Sequence, residues 1–88
     1  MVSQLVRISN PTGLDVKPAG ILCKEAMKFQ CKVIYHYGGG NTANAKSVLS
    51  VLGSSIKYGE EIELVCDGEG ETEALAHLVA CIENGLED

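Results

Sequence analysis

Two short stretches carry residue types and spacings that could do chemistry. In "GLDVKPAG", residues 13 to 20, Asp15 precedes a helical pattern and Lys17 follows two positions later. Aspartate is a favoured helix cap, and its charge suits the positive end of a helix dipole. A helix N-terminus is also where backbone N–H groups receive an anion such as a phosphoryl group. The residues alone leave both roles open, as cap and as the place where a reactive group stands. In "NAKSVLSVL", residues 44 to 52, Ser47 is both a hydroxyl and a good N-cap. Behind it Val48, Leu49, Val51 and Leu52 make barely two helical turns, apolar nearly all round. A helix that short buries every face only under neighbouring elements; otherwise some side chains stay exposed as a contact patch. The sequence leaves this choice open.

Other candidates carry less. "GNTANAKS", 40 to 47, differs by one residue from a phosphate-binding P-loop. Ala45 stands where the second glycine lets backbone approach phosphate, and neither a longer parallel-sheet domain nor a magnesium-holding acid is evident. His36 and His77 have no nearby nucleophile pattern and read as packed or solvated residues, His77 lying off the apolar stripe of the last helix. Cys23, Cys31, Cys66 and Cys81 show no C-x-x-C spacing. They read as free thiols acting mostly as small buried hydrophobes, so neither a metal site nor a cofactor is expected.

The elements that position these groups follow from pattern. "LVRIS" alternates, with Val6 and Ile8 on one face of a strand. Past Pro11 and Gly13, apolar residues Val16, Ala19, Leu22, Cys23, Ala26 and Met27 recur at spacings of three and four, which predicts a helix. "CKVIYHY" is a β-branched and aromatic strand, "GGGN" a turn, and Thr42 and Ala43 a short third strand completing a hairpin. After the short helix of residues 47 to 52, "EEIELVCDG" alternates with Ile62, Leu64 and Cys66 on one face. "TEALAHLVACIENG" sets Leu75, Leu78, Val79 and Ile82 on one helical stripe with Gly85 past its end. The order β-α-β-β-α-β-α, with strands polar on their outer side, predicts an α+β fold: an open-faced β-sandwich, one four-stranded antiparallel sheet covered on one face by three helices.

Composition narrows the function. Eighty-eight residues form one domain, 1–88, and leave no room for separate substrate and cofactor domains. A net charge of -5, seven scattered Lys and Arg and 5% aromatics disfavour direct nucleic-acid binding. No signal peptide and no apolar run of membrane-spanning length is visible, so the expected location is cytoplasmic, without membrane insertion.

"NPTGLDVKPAG" resembles the active-site segment N-x-x-G-L-H-x-R-P-A of the histidine-containing phosphocarrier (HPr) family of the bacterial sugar phosphotransferase system. Asn10, Gly13, Leu14, Pro18 and Ala19 stand in register. "NAKSVLSVL" is similar to its second signature, and Gly59 through Gly68 to the segment carrying its last strand. The resemblance implies the sheet-and-helix fold above and a binding or carrier protein rather than an enzyme. It places Asp15 where the family's phosphoryl-accepting histidine stands, and Lys17 at the neighbouring arginine. A neutral imidazole is nucleophile and leaving group near neutral pH, whereas a carboxylate usually needs a divalent metal to accept phosphate. Lys17 is a point charge without the planar fork that grips phosphate in two places.

Ser47 falls on the regulatory serine that an ATP-dependent kinase phosphorylates in some relatives. The phosphate would lie at a helix N-terminus, where backbone N–H groups and Lys46 could receive it. Val48, Leu49 and Leu52 match positions the family uses for docking. The implied partners are HPr kinase, phosphotransferase-system enzymes and a catabolite-control transcription factor. The leading expectation is a regulatory HPr-like protein acting through Ser47, with no efficient relay at position 15. The alternatives are a carrier accepting phosphate on Asp15 and an unmodified interaction module whose Asp15 imitates phosphohistidine.

Overall fold

The structure is a computed structural model that describes residues 1–87. Its strands are β1 (Val2–Arg7), β2 (Lys32–Tyr37), β3 (Asn41–Asn44) and β4 (Glu61–Asp67), and its helices α1 (Val16–Ala26), α2 (Val48–Gly53) and α3 (Glu71–Glu83). The sheet order is β1-β4-β2-β3, every neighbouring pair antiparallel. The last strand in sequence therefore sits inside the sheet, between β1 and β2. The expected four-stranded open sheet with three helices is what the chain forms.

Register follows from alternation, because a one-residue slip would turn each strand's apolar set to the other face. Val6 opposes Ile62, and Val33 opposes Cys66; all four are buried under the helices. Tyr35 pairs with Leu64 on one side and Ala43 on the other. Helix α3 packs on β1 and β4, α1 lies against both other helices, and α2 touches β3. Leu22, Leu78 and Ile82 are fully excluded from water between these layers, each worth about 2 kcal/mol of apolar burial.

One polar link fastens α2 to the sheet. The buried Tyr35 hydroxyl donates to Ser54 Oγ at 2.7 Å, and Ser54 donates onward to the Val51 carbonyl at 2.6 Å. Burial also pushes the Tyr35 phenol above its ordinary pKa, so its proton stays available to this chain of bonds.

Several expectations shift in detail. β1 begins at Val2, earlier than "LVRIS", and Ile8 is buried just beyond its end. The sheet's outer face is not wholly polar: Val65 is buried there, Ile34 is half-buried and Leu5 is exposed. A central strand has neighbours on both sides, so even its solvent-facing side chain is partly covered. Val16 and Met27 lie on the predicted apolar stripe of α1 yet are 67% and 63% exposed. They stand at the helix's two ends, and periodicity identifies a face without saying where its packing partner stops. Cys31 and Cys66 are buried as expected, whereas Cys23 and Cys81 are only half-buried. No helix among the described residues is long and apolar enough to cross a membrane.

Candidate functional site

Residues 8–15 form a turn that is pinned before α1 begins. Asn10, 5% exposed, donates from Nδ2 to the Gly13 carbonyl, and its backbone carbonyl receives the Gly13 N–H at 3.0 Å. Leu14 N–H then reaches the Ile56 carbonyl at 2.9 Å, tying the turn to the segment between α2 and β4. Gly13 permits this approach: its φ is +69°, and a Cβ there would lie 2.4 Å from Ile56 O and 2.7 Å from Lys57 Cα. No side chain fits, whatever its chemistry.

Asp15 follows in extended conformation as the N-cap of α1, and its Oδ1 accepts the Val16 N–H at 2.8 Å. Caps more often take the second or third helical N–H. Here the third helical residue is Pro18, which has none. The Asp15 carbonyl starts the helix by accepting from Ala19 N at 2.8 Å. Asp15 is exposed, and α1 carries no acidic residue in its first turn. It borders a cleft shared with Thr12, Leu14, Leu52, Ile56 and Lys57. Lys17, also exposed, borders a different depression with Pro11, Thr12, Leu86 and Glu87.

Ser47 caps α2, its Oγ accepting the Ser50 N–H at 3.2 Å and its own N–H bonding the Asn44 carbonyl at 3.1 Å. Asn44 closes the corner further, accepting Lys46 N–H on Oδ1 and donating its own N–H to Ser50 Oγ. The open question about the short helix resolves residue by residue. Val51 is fully buried and Leu52 half-buried, while Leu49 is 82% exposed and Val48 sits at the margin. Leu52 reaches the cleft beside Asp15, and one helix of six residues, about 8 Å of rise, separates that cleft from Ser47. The structure thus brings Leu52 of the second motif to the cleft that Asp15 of the first motif borders.

Lys46 is a correction. Its Nζ donates to the Phe29 carbonyl at 2.6 Å, just past the end of α1. It is thereby turned toward a backbone acceptor rather than Ser47, because carbonyls near a helix C-terminus attract cations. The P-loop-like stretch contains strand β3 and forms no phosphate cradle. His36 is a surface strand residue whose Nδ1 meets Thr42 Oγ1 at 2.9 Å.

His77 is exposed and off the apolar stripe, as expected, yet it is not without partners. Its Nε2 donates to Glu25 Oε1 at 2.7 Å and stands 3.6 Å from Cys81 Sγ, while its ring tilts against Phe29 with centroids 5.5 Å apart. Lys28 Nζ joins the same carboxylate oxygen at 2.9 Å. The bonds from His77 and Lys28 hold the Glu25 carboxyl below the ordinary carboxylate range. Partial burial, then Glu25's charge, push the Cys81 thiol up.

Comparison with known proteins decides the family. The family described as "PTS HPr component phosphorylation site" matches residues 2–84. The chain belongs to the HPr family of the phosphotransferase system. Among its relatives, the phosphocarrier protein HPr of Mycoplasma genitalium is 36% identical over 76 residues, covering 86% of each chain. The HPr-like protein Crh of Bacillus subtilis is 35% identical over 83 residues, 94% of this chain and 96% of that one. Of solved structures, HPr from Thermoanaerobacter tengcongensis superposes with a TM-score of 0.93 at 29% identity, covering 100% of this chain and 99% of that one. Bacillus subtilis Crh, described as a swapped-domain dimer, gives 0.76 at 33% identity over the whole of both chains.

Within this HPr-family fold, the helix-head turn and the short helix are the two motifs legible in the sequence. Asn10 stands out in sequence only as part of a motif, whereas its buried amide holds the turn closed. The contact between Gly13 and Ile56 has no local signal, since positive φ is hinted at by glycine but a neighbour 43 positions away is not. Glu25, His77 and Cys81 escape sequence reasoning as a group because they come from two different helices.

Proposed function

We propose that this HPr-family chain is a regulatory docking protein controlled by phosphorylation of Ser47, with no efficient phosphoryl relay through position 15. The observation that carries the reading is Leu49, 82% exposed two residues after the Ser47 cap. A leucine left in water beside a modifiable hydroxyl suits a partner whose apolar pocket covers it and whose cations meet the phosphate. Relatives of this chain include both phosphocarriers and the HPr-like Crh, a protein described by catabolite repression.

The chemistry at position 15 supports the same side. Asp15 spends one carboxylate oxygen on the Val16 N–H, which suits a cap. A carboxylate attacking a phosphoryl donor brings two anions together, and no second acidic side chain in the first turn helps hold a metal against that repulsion. Phosphorylating Ser47 adds about -1.5 to -2 charges at the start of α2. With Lys46 engaged at Phe29, the charge is left for a partner's cations rather than neutralised within the chain.

The proposed partners are HPr kinase, phosphotransferase-system enzymes and a catabolite-control transcription factor. Incubation with HPr kinase and ATP is expected to add one phosphate, placed on Ser47 by tandem mass spectrometry and absent in Ser47→Ala. The phosphorylated chain should then bind the transcription factor more tightly than the unmodified one. Phosphate on another residue, or equal binding before and after modification, overturns the proposal. Phosphoenolpyruvate and the first enzyme of the relay should leave the chain unmodified, whereas Asp15→His should acquire an acid-labile phosphate.

A further inference from the structure

Away from the Asp15 cleft and Ser47, helices α1 and α3 bring a carboxylate, an imidazole and a thiol together. Glu25 Oε1, a His77 ring nitrogen and Cys81 Sγ all lie within 4.8 Å of one another. His77 and Cys81 are spaced i, i+4 and so share one face of α3. Glu25 meets them from α1, about 15 Å of helix rise beyond Asp15. Nothing in the phosphorylation or docking chemistry above uses these three groups.

We propose that Glu25, His77 and Cys81 bind one divalent ion of the zinc class, with a fourth position open to water or to a ligand from the adjoining groove. The geometry is close to what the ion needs. Zinc bonds to thiolate sulfur at about 2.3 Å and to imidazole nitrogen at about 2.0–2.1 Å in tetrahedral array. Two such bonds at the tetrahedral angle put sulfur and nitrogen about 3.6 Å apart, and Cys81 Sγ lies 3.6 Å from His77 Nε2. Glu25 Oε1 is nearer, at the 2.7 Å of a hydrogen bond. Exchanging the shared proton for an ion requires that pair to open by roughly 0.6 Å, within reach of a glutamate side-chain rotation.

The donor set selects the ion. Thiolate and imidazole favour zinc-class metals over magnesium or calcium, which take oxygen ligands. Thiolate and carboxylate together cancel the charge of a divalent cation; binding releases the Cys81 proton to solvent, and the neutral imidazole carries its proton on Nδ1 so that Nε2 can ligate. Phe29 lies against the imidazole and limits its rotation. Lys28 opposes binding, since its ammonium shares Glu25 Oε1. Its side chain is 54% exposed, so it can move into solvent when a cation arrives. A groove lined by Ile21, Glu25, Cys81, Asn84, Leu86 and Glu87 gives the ion a route in. Occupied, the site would clamp the C-terminal half of α1 to α3.

The test uses the full, tag-free chain, stripped of metal and kept reduced by a non-thiol reductant. Cobalt(II) titration is expected to saturate at one equivalent with a thiolate-to-metal charge-transfer band and the visible bands of four-coordinate cobalt, both abolished by added zinc. Cys81→Ser should lose the charge-transfer band. His77→Gln and Glu25→Gln should each bind zinc at least about tenfold more weakly, since even groups that only support a ligand cost that much when removed. Cys23→Ser, altering the other half-buried thiol, should bind as the parent does. In the unmodified chain, zinc should shift the His77 ring signals in NMR, which checks the site without any substitution. A charge-transfer band surviving in Cys81→Ser, unmoved His77 signals, or binding equally weakened by Cys23→Ser would each overturn the proposal.

Discussion

Replacing the buried Gly13 by alanine should be among the most damaging single changes in the turn that precedes α1. The residue's φ of +69° puts a Cβ in the left-handed region, at about 1–2 kcal/mol. The new methyl would sit 2.4 Å from Ile56 O and 2.7 Å from Lys57 Cα. Both are backbone atoms, so neither can rotate aside, and overpacking of this kind costs about 1–3 kcal/mol. Separating the two segments also breaks the 2.9 Å bond from Leu14 N–H to Ile56, worth about 1 kcal/mol. Alanine returns up to about 1 kcal/mol by restricting the unfolded chain. The net loss is about 4 kcal/mol, a large part of the total stability of a domain this size, about 4–13 kcal/mol. Urea unfolding followed by circular dichroism should show a much lower midpoint with an unchanged slope, and Tm should fall by about 15 °C or more. Gly39→Ala is the control: a methyl added there would meet no heavy atom within 4 Å, and the residue has no positive φ, so its effect should stay within about 0.5 kcal/mol. A Gly13→Ala loss under about 1 kcal/mol would refute the claim that the Asp15 turn is locked to the α2–β4 segment.

Other expected outcomes follow from the same contacts. Ser47→Ala should cost about 1 kcal/mol in urea unfolding through loss of the bond to Ser50 N–H, and Ser47→Asp, itself a good cap, should restore most of it. Leu49→Ser should leave stability within about 0.5 kcal/mol, because the side chain is 82% exposed, yet weaken binding of the phosphorylated chain to its partner measured by calorimetry. Tyr35→Phe should cost about 1 kcal/mol by removing the proton donated to Ser54, read as a shift in the urea midpoint. Burial pushes the Cys66 thiol from an ordinary 9.0 up to about 11. The folded state then keeps a proton that the unfolded chain releases, so this contribution is intact below pH 9 and is lost as pH rises through about 11. Alkaline unfolding of Cys66→Ala should lack that part of the decline.

Much of the molecule is legible in the sequence because its governing interactions are local. Alternation in "EEIELVCDG" and the helical period of residues 71 to 83 place β4 and α3, since burial repeats with the backbone's own geometry. Asp15 and Ser47 are recognisable as caps because capping depends on the next few N–H groups. Family signatures then single out the Asp15 turn and Ser47 as candidates, a matter of pattern rather than of force.

What only tertiary structure decided lies between elements. Sequence leaves open whether the short helix is buried or exposed; packing under α1 and beside β3 buries Val51 and leaves Leu49 in water. Lys46 is a plausible phosphate partner by proximity to Ser47, and the end of α1 captures it instead. The contact that makes Gly13 irreplaceable, and the meeting of Glu25 with His77 and Cys81, depend on segments far apart in the chain. Periodicity determines which side of a helix is buried, because that is set by bond geometry along one segment. Which neighbour a side chain meets there is set by how helices pack across the sheet, and no single segment contains that information.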